Sequence, residues 1–216
     1  MVSLQKDCKH VCGGFLISDR FVMTAAHCKK PNKNLTAVVG MHDLKKRRRG
    51  SDRIRVESYH KHPDFNNNTM QNDIMLLKLK KKVKQNKNVK IISIPTQEGD
   101  IKPDSVCSVA GWGRLSLEKG KNNNTHLMEA DVKIMNNTEC KNKWKDKYSA
   151  SQMMCVYGHG GSCNGDSGGP LVCGDTAVGV TSFGDPKACN SRELPEVYTK
   201  ISAYLPWIRS IIANVK

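Results

Sequence analysis

The chain has 216 residues, 38% of them hydrophobic, and a formal net charge of +15. Apolar residues are spread along its whole length, which excludes a disordered chain, and no run of eighteen or more apolar residues offers a membrane span. Such a length holds one large domain or two small ones with cores of their own.

The opening Met1-Val2-Ser3-Leu4-Gln5-Lys6-Asp7 has no apolar stretch of signal-peptide length, and taken alone it argues for the cytosol. Strand signals follow at Phe15–Ile17, Phe21–Thr24, Leu35–Val39, Arg53–Val56 and Ile74–Leu79, each short, β-branched or apolar, and bounded by Gly, Asn, Asp or Pro. The stretch 94–103 carries Pro95, Gly99 and Pro103 with little apolar content and is the best linker candidate. A second set of strands is expected at Val106–Ala110, Leu127–Val132, Gln152–Val156, Pro170–Val172 and Ala177–Val180. Many short strands at near-regular spacing mean a sandwich or a barrel. Leu205, Ile208, Ile211, Ile212 and Val215 then recur at helical spacing, with Pro206 in the first turn, so an amphipathic helix closes the chain and packs on its body.

Nine cysteines oppose the cytosolic reading. Cys163, Cys173 and Cys189 fall among strands and tight turns, which suits disulfides in an oxidising compartment. Zinc is the competing reading, but no C-x-x-C pair exists, and the spacing of Cys8 and Cys12 has no second pair to answer it. Sequons at Asn34, Asn67, Asn123 and Asn136 agree with a secreted protein. The basic residues come in runs, Lys45 to Arg49, Lys78 to Lys84 and Lys141 to Lys147. Runs of charge are ordinarily solvated faces. Five adjacent cations exceed what solubility needs, which points to a polyanion partner, and for a secreted protein that means sulfated glycosaminoglycan or proteoglycan. A specific nucleic-acid partner is not expected, because no aromatic interleaving or nucleic-acid fold signature accompanies the charge.

Three segments carry chemistry: Thr24-Ala25-Ala26-His27-Cys28 after a strand, Asn72-Asp73 before the most apolar strand, and Gly165-Asp166-Ser167-Gly168-Gly169-Pro170. Singly, the histidine reads as a core residue and the aspartate as a turn former. Consecutive glycines are costly unless the backbone must take left-handed φ or be approached closely, and a reaction at Ser167 needs that approach. Together, in the order His, Asp, Ser, the segments resemble the chymotrypsin-like serine proteases, and the resemblance runs from Val2 to the terminal helix. Gly111-Trp112-Gly113 and Pro195-Glu196-Val197-Tyr198-Thr199-Lys200 match that family as well, and the likeness is nearest to granzymes and mast-cell granule proteases.

The resemblance implies an all-β fold of two six-stranded antiparallel β-barrels with a C-terminal α-helix. Residues 1–95 would form the first barrel, carrying His27 and Asp73, and 96–216 the second, carrying the nucleophile, the specificity pocket and the helix. His27 would take the Ser167 proton and return it to the leaving amine, while Asp73 fixes the His27 tautomer. The backbone N–H groups of Gly165 and Ser167 would form the oxyanion hole. Family pairing implies the disulfides Cys12–Cys28, Cys107–Cys173, Cys140–Cys155 and Cys163–Cys189, leaving Cys8 as a free thiol or a link between two chains. Polypeptide substrates and protein protease inhibitors are the implied partners, with storage in secretory granules or secretion.

By the same resemblance Gly161 lies at the base of the primary pocket, beside Ser162, and Gly184 leaves the pocket mouth open. Main-chain groups of the Ser182-Phe183-Gly184 segment would pair with an extended substrate. Glu196 occupies a position that points into the back of the pocket, where a desolvated carboxylate calls for a cation. Cleavage after Lys or Arg is expected, with some tolerance of large apolar residues; the bland alternative is a Glu196 bonded within the protein that merely shortens the pocket. Asp166 is the family's partner for a freed N-terminal ammonium. The opening residues match the interior of a first-barrel strand, so the chain is expected to be a truncated product with a loose oxyanion loop and weak or no activity. No metal or cofactor is expected: the loop matching a calcium site, His42 to Asp52, carries Lys45 to Arg49, which would repel the ion. A non-enzymatic, cationic glycosaminoglycan-binding homologue is the competing function, disfavoured by the presence of both His27 and Ser167.

Overall fold

The computed structural model describes residues 1–46, 51–115, 124–163 and 166–215. Twelve strands close into two barrels. The first is built from β1 (Val2–Lys6), β2 (Lys9–Leu16), β3 (Phe21–Thr24), β4 (Thr36–Val39), β5 (Asp52–Lys61) and β6 (Met75–Leu79), in the order β1-β2-β3-β6-β5-β4. The second is built from β7 (Val106–Gly111), β8 (Met128–Ile134), β9 (Met153–Tyr157), β10 (Pro170–Cys173), β11 (Thr176–Phe183) and β12 (Val197–Lys200), in the order β10-β11-β12-β9-β8-β7. Every strand pairing is antiparallel. The expected fold is therefore the observed one.

The two strands buried along their whole length explain themselves. Phe21-Val22-Met23-Thr24 and Met75-Leu76-Leu77-Lys78-Leu79 lie side by side and are buried on both faces, so neither shows polar alternation. β7, by contrast, alternates, with Cys107, Val109 and Gly111 inside. The helix α1 (Asn137–Trp144) has no apolar stripe and was not legible from periodicity. Its N-terminus is set by Asn136, whose Oδ1 accepts from Thr138 N at 2.8 Å, and Glu139 sits three residues on, the spacing of a capping box.

The closing helix α2 (Leu205–Asn214) has proline in its first turn, as expected. It packs on the first barrel: Tyr204, Leu205 and Ile208 share one core with Phe15, Met23, Ile54 and Leu77. Ile212, read from the sequence as part of the buried stripe, faces solvent at 38% exposure, while Ile211 and Val215 pack, partly buried, against the first-barrel core. The C-terminal segment thus ties the first barrel to the second.

Candidate active site

His27 sits in a single 3-10 turn, Ala26–Cys28, that follows β3 and is held on its buried side by Ala26 and Cys28. Asp73 precedes β6 and is fully buried. Its Oδ2 lies 2.6 Å from His27 Nδ1, and its Oδ1 accepts from the His27 backbone N–H at 2.9 Å. A carboxylate facing Nδ1 holds the ring proton on that nitrogen and leaves Nε2 as the basic one. Two further contacts anchor the aspartate from the second barrel: Ser182 Oγ donates to Oδ2 at 2.6 Å, and Thr199 Oγ1 donates to the Asp73 carbonyl at 2.9 Å.

The Ser182 hydroxyl contact was not legible in the sequence, where only the main chain of this residue was given a role. It arises from a break in register between Thr181 and Phe183 in the β11–β12 pairing, which leaves Ser182 unpaired and turns its side chain inward. No residue type announces a bulge, so the sequence held no signal for it.

Ser167 is carried to the same place by its backbone. Gly13 N donates to the Ser167 carbonyl at 2.8 Å, and the Cys28 Sγ lies 3.8 Å from that oxygen. The nucleophile candidate therefore abuts the residue that follows His27. Its Oγ forms no hydrogen bond among the described residues, a common state for a serine with no substrate present. The glycines after it are required: Gly168 has φ +83°, and a Cβ there would meet Thr24 Oγ1 and stand 2.5 Å from the Gly13 carbonyl. Gly165, the other expected oxyanion donor, lies outside the described residues, as do Arg47, Arg48 and Arg49 and the sequon at Asn123. The remaining sequon residues Asn34, Asn67 and Asn136 are exposed.

Asp166 lines a cavity of about 190 Å³ together with Gly113, Gly161 and Ser162. It accepts from Cys163 N at 2.8 Å and Gly113 N at 2.9 Å. Burial outweighs those two bonds and pushes its carboxyl up to about 6. Gly111 and Gly113 are both packed against this carboxylate, so neither admits a side chain.

Gly161 and Glu196 line one cavity of about 1010 Å³. The Glu196 carboxyl lies against Gly184, filling the space that a Cβ would take. Burial, and then the charge of Asp166, pushes Glu196 up to about 8. Glu196 makes no ion pair and no side-chain hydrogen bond among the described residues. Ser162 is buried, and its hydroxyl is hydrogen-bonded to Tyr198 Oη at 2.7 Å rather than open to a ligand. Phe183 packs edge-on against Trp144, with ring centroids 5.0 Å apart.

The eight expected half-cystines pair as the resemblance implied: Cys12–Cys28, Cys107–Cys173, Cys140–Cys155 and Cys163–Cys189. Cys12–Cys28 fixes the histidine turn, and Cys163–Cys189 joins two walls of the Asp166 cavity. Cys8 is the free cysteine among the described residues; it is exposed, and Arg53 Nη2 lies 3.6 Å from its sulfur.

The Trypsin family model matches residues 1–208. Cathepsin G of Homo sapiens is 36% identical over 208 residues, covering 95% of this chain and 78% of the relative. Duodenase-1 of Bos taurus is 40% identical over 210 residues, covering 96% and 80%, and Granzyme B(G,H) of Mus musculus is 39% identical over 207, covering 94% and 81%. The solved structure of neuropsin, a serine protease of mouse brain, superposes with a TM-score of 0.89 at 33% identity, over 98% of this chain and 93% of that one. The chain therefore belongs to the trypsin family of chymotrypsin-like serine proteases and is related to the granzymes and cathepsin G.

Proposed function

We propose that this protein is a serine endopeptidase that forms an acyl-enzyme on Ser167, with His27 as general base and then general acid. The observation that carries the reading is the buried Asp73, whose carboxylate accepts from the backbone N–H of His27 and faces its Nδ1. That arrangement keeps Nε2 free to take a hydroxyl proton and stabilises the imidazolium that results. In this reading the backbone N–H groups of Gly165 and Ser167 meet the oxyanion. The barrels divide at 95/96 in this reading, between the last strand of the first at Leu79 and the first of the second at Val106.

Substrate choice follows from the pocket. A partly buried Glu196, its carboxyl seated against Gly184, favours a cationic Lys or Arg side chain before the scissile bond. Its neutral form leaves room for a large apolar one. Storage in granules or secretion, glycosylation at the exposed sequons and binding of sulfated glycan by the basic runs complete the proposal. Cathepsin G and the granzymes as relatives and the four disulfides support it. The test is a set of peptides differing only in the residue before the cleaved bond. Hydrolysis with Arg and Lys leading, and Phe behind them, supports the reading; hydrolysis led by another side chain, or none by the activated protein, overturns it.

A further inference from the structure

Three lysines gather beside the His27–Asp73 pair. Lys29 and Lys30 follow His27-Cys28 directly, and Lys61 ends β5 opposite Met75, two residues past Asp73. Lys61 Nζ donates to the Lys29 carbonyl at 2.8 Å. Lys29 Nζ donates to the Lys30 carbonyl at 3.1 Å and lies 4.7 Å from the centre of the Tyr59 ring. None of the three forms an ion pair with a carboxylate among the described residues.

Some cations elsewhere in the chain meet carboxylates. Lys78 meets Glu57 at 2.7 Å, Lys81 meets Asp52 at 2.9 Å and Lys82 meets Asp19 at 3.5 Å. Beside His27 the Lys29 and Lys61 ammonium groups are instead tethered to main-chain carbonyls and aromatic faces, which positions them without neutralising them, and the exposed Lys30 adds a third charge beside them. Burial, and then the charges of Lys29 and Lys30, holds the Lys61 ammonium below its ordinary range against the opposing pull of Asp73. Asp73 itself is occupied by His27 and Ser182. A fixed group of like charges without an internal counter-ion attracts an anion to that spot.

We infer that Lys29, Lys30 and Lys61 select polypeptides bearing an Asp or Glu within roughly three residues of the scissile bond, about 10 Å of extended chain. The inference rests on the peptidase reading and adds a second determinant to it, independent of Glu196. Its test measures binding rather than turnover. Fluorescent peptides with Arg before the cleavage point, differing only by Glu or Gln at each of the three positions on either side, are titrated against the Ser167→Ala protein. The best-placed Glu peptide binds roughly three- to tenfold more tightly than its Gln twin at low salt, and the advantage shrinks at high salt. Lys30→Gln with Lys61→Gln abolishes the difference while leaving the Gln peptide unchanged, and Lys30→Arg with Lys61→Arg retains it. Equal affinities, an advantage that survives the double Gln variant, or no peptide bound at all overturns the inference. So does a double Gln variant that loses a heparin oligosaccharide while keeping its preference among peptides, since the lysines would then serve a glycan. Failure of the peptidase reading is seen separately, as absence of hydrolysis by the unsubstituted protein.

Discussion

Glu196→Gln isolates the charge at the back of the pocket. The carboxyl is pushed up to about 8 by burial first and by Asp166 second, so it is protonated in most empty molecules at neutral pH. A group of that pKa is about one-tenth ionised at pH 7 and about nine-tenths ionised at pH 9. The specificity constant kcat/KM reports the free enzyme. Its ratio for an Arg substrate over the matching Phe substrate cancels every ionisation common to both. That ratio should climb roughly tenfold between pH 7 and 9, following the carboxylate. With Gln at 196 it should be flat, and at pH 9 it should fall by roughly 10- to 150-fold, the worth of about 1.5–3 kcal/mol for a hydrogen bond to a charged group. Stopped assays with paired peptide amides across this range supply the data. A parent ratio that does not change with pH, or a Gln variant that keeps its preference for Arg, would refute the reasoning.

Ser182→Ala removes one of the donors to the buried Asp73 carboxylate. We expect kcat to drop roughly 10- to 100-fold with an unchanged melting curve above the loss of one bond, measured by steady-state kinetics and denaturant unfolding together. Gly168→Ala places a Cβ on Thr24 Oγ1 and near the Gly13 carbonyl at φ +83°, so it should destabilise by more than about 3 kcal/mol or prevent folding, read from urea titration or soluble yield. Stability should also respond to alkali. Glu196 has a folded pKa above its ordinary value, so its contribution is complete below the ordinary carboxylate range and is lost as pH rises through about 8. The unfolding free energy should fall by about 1.4 kcal/mol between pH 7 and 9 through this group, and the fall should vanish in Glu196→Gln.

Much of the site was legible because its residues are constrained in sequence as well as in space. Gly168 must be glycine for its positive φ and for the Gly13 backbone that crosses it, so the Ser167 turn advertises itself. His27 lies beside Cys28 because the same turn carries both the histidine and the disulfide. The strands β3 and β6 were legible as short, strongly apolar runs, buried on both faces. Other features had no local signature. β12 is buried throughout, yet Val197-Tyr198-Thr199-Lys200 ends in a lysine whose ammonium bonds the Ala150 carbonyl and Asp100, partners remote in the chain. The Ser182 hydroxyl reaches Asp73 only because a bulge turns it. Ile212 obeys the helical period and is still exposed, because the period says which residues share a face and not how far the barrel extends under it.

The central claim is that His27 activates the hydroxyl of Ser167, and covalent labelling tests it most directly. The protein is treated with a fluorophosphonate and digested, and the adduct is located by mass spectrometry. One adduct on the peptide that contains Ser167, absent in His27→Ala, is the expected result; an adduct on another residue, or equal labelling without the imidazole, would contradict the account.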